Sequence, residues 1–213
     1  MLLASAGKTF NGYKMPSSDM HERIYALFQK SVEAKMTVGE DITPHIADAA
    51  QILVNTLLDE NKIFVCGNGP SAALAQIFTS SMLDRYEKER PSLPAIWLGS
   101  SIATYTAIAA DHSVSEVFAK PLRALGQPGD TLIVISSSGN AANLVQAIST
   151  AHERGMRIIA LTGRDGGDIS SLLEVNDVEI CIGVHSRGRI HEVHLLCIFC
   201  LCDLIDFNLF GLG

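Results

Sequence analysis

Five short apolar segments, separated by segments of helical pattern, constrain the fold of this chain most strongly. Each is four to seven residues long and lacks the polar alternation of a half-exposed strand. They lie at residues 63–66, 95–98, 131–135, 158–161 and 178–184. Near-continuous apolar strands are typical of parallel sheets whose two faces are both covered by helices. The sequence therefore predicts an α/β protein, a three-layer αβα sandwich around a five-stranded parallel sheet.

Helical periodicity predicts the elements around these strands. Two N-terminal helices are expected, at about 19–36 and 44–58. Between the strands, helical segments are expected at about 71–88, 101–110, 114–125, 140–154 and 168–174. The last helix, at about 187–209, is apolar nearly all round, which indicates a position in the core or between subunits.

Length and charge limit the classes of function. The 213 residues are enough for one domain, expected at 19–213, and residues 1–18 are expected to form an N-terminal extension. The net charge of −7 argues against a broad surface for nucleic acid or for an anionic membrane. No apolar run of bilayer length is apparent. Any anion site must therefore be local.

The five cysteines are odd in number and unevenly placed, which argues against a disulfide framework. Reduced thiols in the cytoplasm are the better interpretation. The three near the C-terminus lie in an apolar helical run without a second metal-type cluster, so packing explains them better than metal binding.

Two polar loops carry the functional signal. The third strand runs into Ser136, Ser137 and Ser138, followed by Gly139 and Asn140, and a helix begins at once. Hydroxyls, free backbone N–H groups and the positive end of a helix dipole are the parts of a phosphate cradle. An ordinary strand-to-helix turn with a capping serine is the alternative.

The loop after the first strand repeats this arrangement with Asn68, Gly69 and Ser71. A third glycine-rich loop, 162–167, follows the fourth strand and is equally well explained as a turn. In open parallel sheets ligands bind beyond the carboxyl ends of the strands. Together the loops predict a pocket for a phosphorylated sugar, formed by seven residues: Asn68, Gly69, Ser71, Ser136, Ser137, Ser138 and Asn140.

Several motifs in combination resemble the SIS (sugar isomerase) domain family, and within it the phosphoheptose isomerase branch. The matching segments are 66–69, 89–95, 123–126, 129–130, 136–140, 160–167, 189–194 and 201–206. The resemblance spans roughly residues 20–211. It implies a flavodoxin-like sandwich, a homotetramer, and interconversion of sedoheptulose 7-phosphate with glycero-manno-heptose 7-phosphate at a zinc-dependent site.

The chain departs from that branch where catalysis is expected. Ile77 and Ser81 stand where the enzymes carry a His and a Glu, and Phe199 replaces a late His. Loss of one acid or base costs on the order of 10²–10⁴-fold in rate. The residual candidates for a base are His191 and Glu192. No metal site is predicted, because a third ligand beside His191 and His194 would have come from Ile77 or Phe199.

These departures resemble a non-catalytic subgroup, the DnaA initiator-associating proteins. That resemblance implies a homotetrameric adaptor that binds the replication initiator DnaA and promotes its assembly at the chromosomal origin. Leu209 and Phe210 would then contact the partner, with terminal packing as the alternative. Two other functions stay open: a phosphoheptose isomerase with a rearranged base, using zinc, or a sugar-phosphate sensor.

Overall fold

The computed structural model describes residues 17–211 and contains one five-stranded sheet. The strands are β1 Ile63–Gly67, β2 Ala95–Trp97, β3 Thr131–Ile135, β4 Arg157–Gly163 and β5 Val178–Ile182. All neighbours pair in parallel, in the order β2-β1-β3-β4-β5. The predicted sheet is confirmed. Apart from residues 17 and 18, which begin the first helix, the predicted extension lies outside the described residues.

Seven helices surround the sheet in the described part of the chain. They are α1 Ser17–Leu58, α2 Pro70–Leu83, α3 Ile102–Asp111, α4 Ala119–Leu125, α5 Ala142–Glu153, α6 Gly167–Ser170 and α7 Arg187–Phe210, with a 3₁₀ turn at Val114–Glu116. The predicted segments 71–88 and 114–125 are too long. α2 ends at Leu83, and a 3₁₀ turn precedes α4.

The prediction of two N-terminal helices is wrong, because α1 is a single helix with Pro44 inside it. A proline removes one backbone hydrogen bond from a helix. Here the Thr43 hydroxyl donates to the Gly39 carbonyl at 2.6 Å in the same turn. Ile42 and Ala49, on either side of the proline, are both buried in the core. Packing on both sides therefore holds the helix together across the proline.

Alternate residues of each strand face two separate core layers. In β1, Ile63 and Val65 pack with α1, α2 and α7, whereas Phe64 and Cys66 pack with the layer of α3, α4 and α5. This two-sided burial is the physical reason for the continuous apolar runs in the sequence.

α7 lies against α1 and α2 in the first of these layers. By length and composition it could cross a membrane, contrary to the expectation from sequence. However, Ile190, Val193, Ile198, Leu201 and Ile205 are all buried in the core. The apolar character of α7 is therefore explained by its position inside the fold.

The strand order reverses direction at β1, between β1 and β3. Adjacent strands whose connections leave in opposite directions open a crevice at their carboxyl ends, where ligands bind in such folds. The loops after β1 and β3 flank this crevice.

Candidate functional site: a crevice between two polar loops

Asn68 and Asn143 join the two loops directly. The Asn68 amide nitrogen donates to Asn143 Oδ1 at 2.8 Å, and the Asn143 amide nitrogen donates to Asn68 Oδ1 at 2.9 Å. Asn143 lies in the first turn of α5 and is buried. The side chain of Asn68, predicted to bind ligand, is thus used to fix the walls of the crevice.

The loop after β1 presents an open backbone and one hydroxyl. A side chain at Gly67 would come within 2.8 Å of the Ser71 carbonyl oxygen, so the loop is tight there. Gly69 has φ of 55°, and a side chain placed there would have no other atom within 4 Å. The open space above its backbone suits the close approach of a ligand. Ser71, at the start of α2, is 3% exposed, and its hydroxyl makes no hydrogen bond within residues 17–211.

The loop after β3 supplies further donors. The Ser136 hydroxyl accepts a hydrogen bond from the Gly139 N–H at 3.0 Å, which closes the loop on itself. The backbone N–H groups of Ser137 and Ser138 make no hydrogen bond within the described chain, and neither do their hydroxyls. These half-buried groups stand just before the N-terminal end of α5. Hydroxyls and unpaired N–H groups at a helix N-terminus form an anion-binding arrangement.

The loop after β4 packs against the loop after β3. A side chain at Gly139 would collide with the Gly166 carbonyl oxygen, so the two loops touch through backbone. Asn140 Oδ1 accepts a hydrogen bond from the Asp168 N–H at 2.9 Å. Asn140, another residue predicted to bind ligand, therefore uses its side-chain oxygen to hold this loop. The residue as a whole is exposed to solvent.

The first turns of α7 reach the same end of the sheet. A side chain at Gly163 would meet Ile190 at 2.8 Å and the Ser137 carbonyl oxygen at 2.9 Å. His191 follows, and both of its ring nitrogens are enclosed without a hydrogen-bond partner in the structure. Burial, together with Arg187, lowers the pKa of His191 below its usual 6.5. The ring is therefore neutral at pH 7.

Glu192 and His194, the polar neighbours of His191 on α7, are both committed to structural contacts. Glu192 pairs with Arg189 at 2.9 Å and accepts a hydrogen bond from the Ser31 hydroxyl at 2.6 Å. His194 is fully buried, and its Nε2 donates to the Thr162 carbonyl oxygen at 2.7 Å. Of the two predicted candidates for a base, His191 alone is left without a protein partner.

The three replaced positions lie on α2 and α7, two helices that pack against each other. Ile77 is on α2 and partly exposed. Ser81, one turn later, is half-buried, and its carbonyl accepts a hydrogen bond from Arg90 at 2.6 Å. Phe199 stacks on Tyr86 with ring centroids 5.7 Å apart. These three positions, called the α2–α7 seam below, carry no carboxylate and no imidazole.

Comparison with known proteins identifies the fold family. The SIS domain profile matches residues 27–163. The chain belongs to the SIS domain family. A phosphoheptose isomerase from Chromohalobacter salexigens is 54% identical over 193 residues, 91% of this chain and 98% of that protein.

Two solved structures agree with this SIS assignment. Phosphoheptose isomerase GmhA from Neisseria gonorrhoeae has a TM-score of 0.84 at 41% identity, covering 88% of this chain and 98% of its own. A phosphoheptose isomerase from Francisella tularensis has a TM-score of 0.85 at 41% identity, and the match covers 90% of this chain and 99% of that protein. The chain therefore lies in the phosphoheptose isomerase branch, as the motifs indicated.

The expectation of a DnaA-binding adaptor is wrong. Relatives at about half identity over nearly the whole chain carry the name phosphoheptose isomerase, and none of these names refers to initiator binding. The expectation that the chain is no enzyme loses its support for the same reason. Leu209 and Phe210, assigned to that partner, lie in the last turn of α7, partly buried against the core.

The residues of this SIS domain do not fit the zinc that the resemblance implied. Of the three replaced positions, Ile77 and Phe199 carry apolar side chains, and Ser81 carries a hydroxyl in place of a carboxylate. Within residues 17–211 no three His, Cys, Asp or Glu side chains are grouped so that they could hold a metal ion. No step of the chemistry is therefore assigned to a metal.

Sequence reasoning missed Asn143 in this SIS site. Its only signal is a polar residue in the first turn of an otherwise apolar helix face. It also missed Thr162, whose carbonyl fixes His194 and whose hydroxyl donates to Glu179.

Proposed function

We propose that this chain binds the phosphate group of a heptose 7-phosphate in the crevice between the loops after β1 and β3, and that it isomerises that sugar. The observation that carries the proposal is the crevice itself. Its walls are fixed by the Asn68–Asn143 pair, and it presents Ser71, Ser137 and Ser138 with unused donors. The names of the similar proteins support the choice of sugar.

Isomerisation of a ketose to an aldose moves a proton from C1 to C2 through an enediol. A base must remove the C1 proton, and the same group can return it to C2 while the hydroxyl and carbonyl exchange roles. We assign this task to His191 because its imidazole is neutral and both nitrogens lack protein partners. Since both nitrogens are enclosed in the structure, the ring must become accessible when the sugar binds. Glu192 is assigned a structural role, since Arg189 and Ser31 occupy it.

Binding without turnover is the second candidate function. It is favoured by the apolar seam, where Ile77 and Phe199 take the places of groups that could transfer protons. In this case the protein acts as a sensor of the same sugar phosphate, and His191 contributes to binding only.

Calorimetric titration with sedoheptulose 7-phosphate, followed by an assay for the aldose product, separates the two functions. Ser71→Ala and Ser137→Ala are expected to weaken binding. His191→Gln keeps the size of the side chain, and we expect it to reduce turnover by about 10²–10⁴-fold with little effect on binding. Saturable binding without product would select the sensor function. Absence of binding by the unaltered protein would refute both.

The assembly proposed for this protein is a homotetramer. Seven large apolar side chains of the N-terminal half of α1 are exposed: Met20, Ile24, Tyr25, Leu27, Phe28, Val32 and Met36. Exposed apolar surface of this extent is typical of protein–protein contacts. Light scattering tests the proposal, with Phe28→Asp as the disrupting variant. The expected cytoplasmic location stays a prediction.

A further inference from the structure

A polar cavity lies beside the proposed phosphate crevice, beyond the carboxyl ends of β3, β4 and β5. Its volume is about 410 Å³, and it is lined by Ser138, Asn140, Arg164, Asp165, Gly183 and His185. Ser138 belongs to the loop that borders the crevice, so the two spaces adjoin. Of the residues that line this cavity, the function proposed above uses Ser138 alone.

Arg164 is held here in an unfavourable backbone conformation. Its φ is 64°, in the left-handed region that side chains other than Gly and Asn rarely adopt. The backbone is fixed by the Arg164 N–H donating to the Ile182 carbonyl at 2.9 Å. Strained residues of this kind cluster at binding sites, where the surrounding structure maintains them.

The donors that line the cavity are unused by the protein, and Asn140, Arg164 and His185 are exposed to solvent. Within residues 17–211 the guanidinium of Arg164 makes no ion pair or hydrogen bond, and the His185 ring and Ser138 hydroxyl make none either. Asn140 has committed its oxygen to the Asp168 N–H, which leaves its amide nitrogen available to donate. A guanidinium, an amide N–H₂ and a hydroxyl around one space match the oxygens of a phosphate group.

We propose that this cavity binds a second phosphate group, held by Arg164 with Asn140 and Ser138. The phosphate belongs either to a bisphosphorylated sugar whose other phosphate occupies the crevice, which rests on the function proposed above, or to free inorganic phosphate. Asp165 lines the same cavity and opposes the anion, so it limits the affinity. Both sources require the same residues.

Titration with inorganic phosphate, followed by ³¹P NMR, tests the site directly. The unaltered protein should show two binding events. Arg164→Asn, which tolerates the left-handed backbone, should weaken one of them by about tenfold or more. Asp165→Asn should strengthen that same event, whereas Ser71→Ala should affect only the other.

Arg164→Gly separates binding from folding. Because glycine relieves the strain at φ of 64°, this variant should melt at a higher temperature and still lose the second event. A lower melting temperature with unchanged phosphate binding would show that Arg164 is purely structural and would overturn the proposal.

Comparison of sedoheptulose 1,7-bisphosphate with the 7-phosphate distinguishes the two sources. If Arg164→Asn weakens the bisphosphate alone, the second phosphate belongs to the sugar. If it weakens inorganic phosphate but neither sugar, the cavity is an independent phosphate site. Equal affinities of Arg164→Asn and the unaltered protein for all three compounds would contradict the proposal. None of these outcomes depends on turnover, which His191→Gln reports separately.

Discussion

Asn68 and Asn143 exchange two amide hydrogen bonds across the crevice, although 75 positions separate them in the sequence. One residue follows β1 and the other begins α5, so the pair ties together the two loops that the strand order brings side by side. Each amide still has hydrogen-bonding capacity left. Beyond the pairing of β1 with β3, this side-chain contact holds the two walls of the crevice together.

Asn143→Ala should lower the free energy of unfolding by about 1–3 kcal/mol, because it leaves the Asn68 amide unpaired. It should also weaken the binding of sedoheptulose 7-phosphate. Denaturant unfolding and calorimetry measure the two effects. Asn55→Ala is the matched control, since it breaks an exposed amide pair with Gln51 and should change stability by under about 0.5 kcal/mol. Equal costs for the two variants would contradict the prediction.

Stability should fall as the pH drops from about 6.5 to about 4. Burial lowers the pKa of His194 to about 4. Nε2 donates to Thr162, so a second proton would have to enter on Nδ1, which is buried without a partner. Between these pH values the unfolded chain binds more protons than the folded one, and the loss approaches about 3 kcal/mol.

Urea unfolding at a series of pH values measures this effect. His194→Gln can still donate to the Thr162 carbonyl but does not titrate. The variant should therefore show a much shallower decline over the same pH range. An unchanged slope would place the acid sensitivity elsewhere.

Asp206→Ala should cost about 3–5 kcal/mol of unfolding free energy, since it leaves a buried guanidinium without its counter-ion. Arg90 and Asp206 are 2.8 Å apart, and their side chains are 1% and 5% exposed. Arg90 also donates to the carbonyls of Ser81 and Met82, which anchors the end of α2 to α7.

Glu89→Ala provides the comparison for this ion pair. It removes the exposed pair between Arg85 and Glu89, which should contribute no more than about 1 kcal/mol. Thermal unfolding of both variants, at low and high salt, should separate the buried pair from the exposed one. A small cost for Asp206→Ala would mean that the backbone carbonyls alone satisfy Arg90.

The triple variant Ile77→His, Ser81→Glu, Phe199→His should bind zinc, because it places ligating groups at the positions where the resemblance requires them. The unaltered protein should retain no stoichiometric zinc after dialysis. Metal analysis of both proteins measures the difference. Stoichiometric zinc in the unaltered protein would contradict the assignment of the α2–α7 seam as apolar.

The parallel sheet could be predicted because burial on both faces leaves continuous apolar runs, as in 131–135. The break at Pro44 was predicted wrongly, since the sequence does not reveal that Ile42 and Ala49 are held in one core. Ser71 and Ser137 are assigned to the proposed site from their positions after strands, and that assignment stays a prediction. The Asn68–Asn143 pair could not, because it depends on which strands become neighbours.

The SIS motifs identified the family but could not distinguish an enzyme from a binding protein. Leu209 and Phe210 suggested a partner by their place at the chain end, whereas the structure packs them partly against the core. Ile77 and Phe199 do replace two histidines of the related enzymes. How much catalytic rate this replacement removes depends on whether His191 can act as the base, and only the fold reveals that its ring is buried.

The unbroken helix α1 has a consequence for how stability must be measured. Its 42 residues extend about 63 Å, whereas a compact domain of this length is roughly 45 Å across. Its apolar N-terminal half, from Met20 to Met36, thus extends beyond what one copy can cover. If other copies cover it, folding is linked to association, and the melting temperature rises with protein concentration.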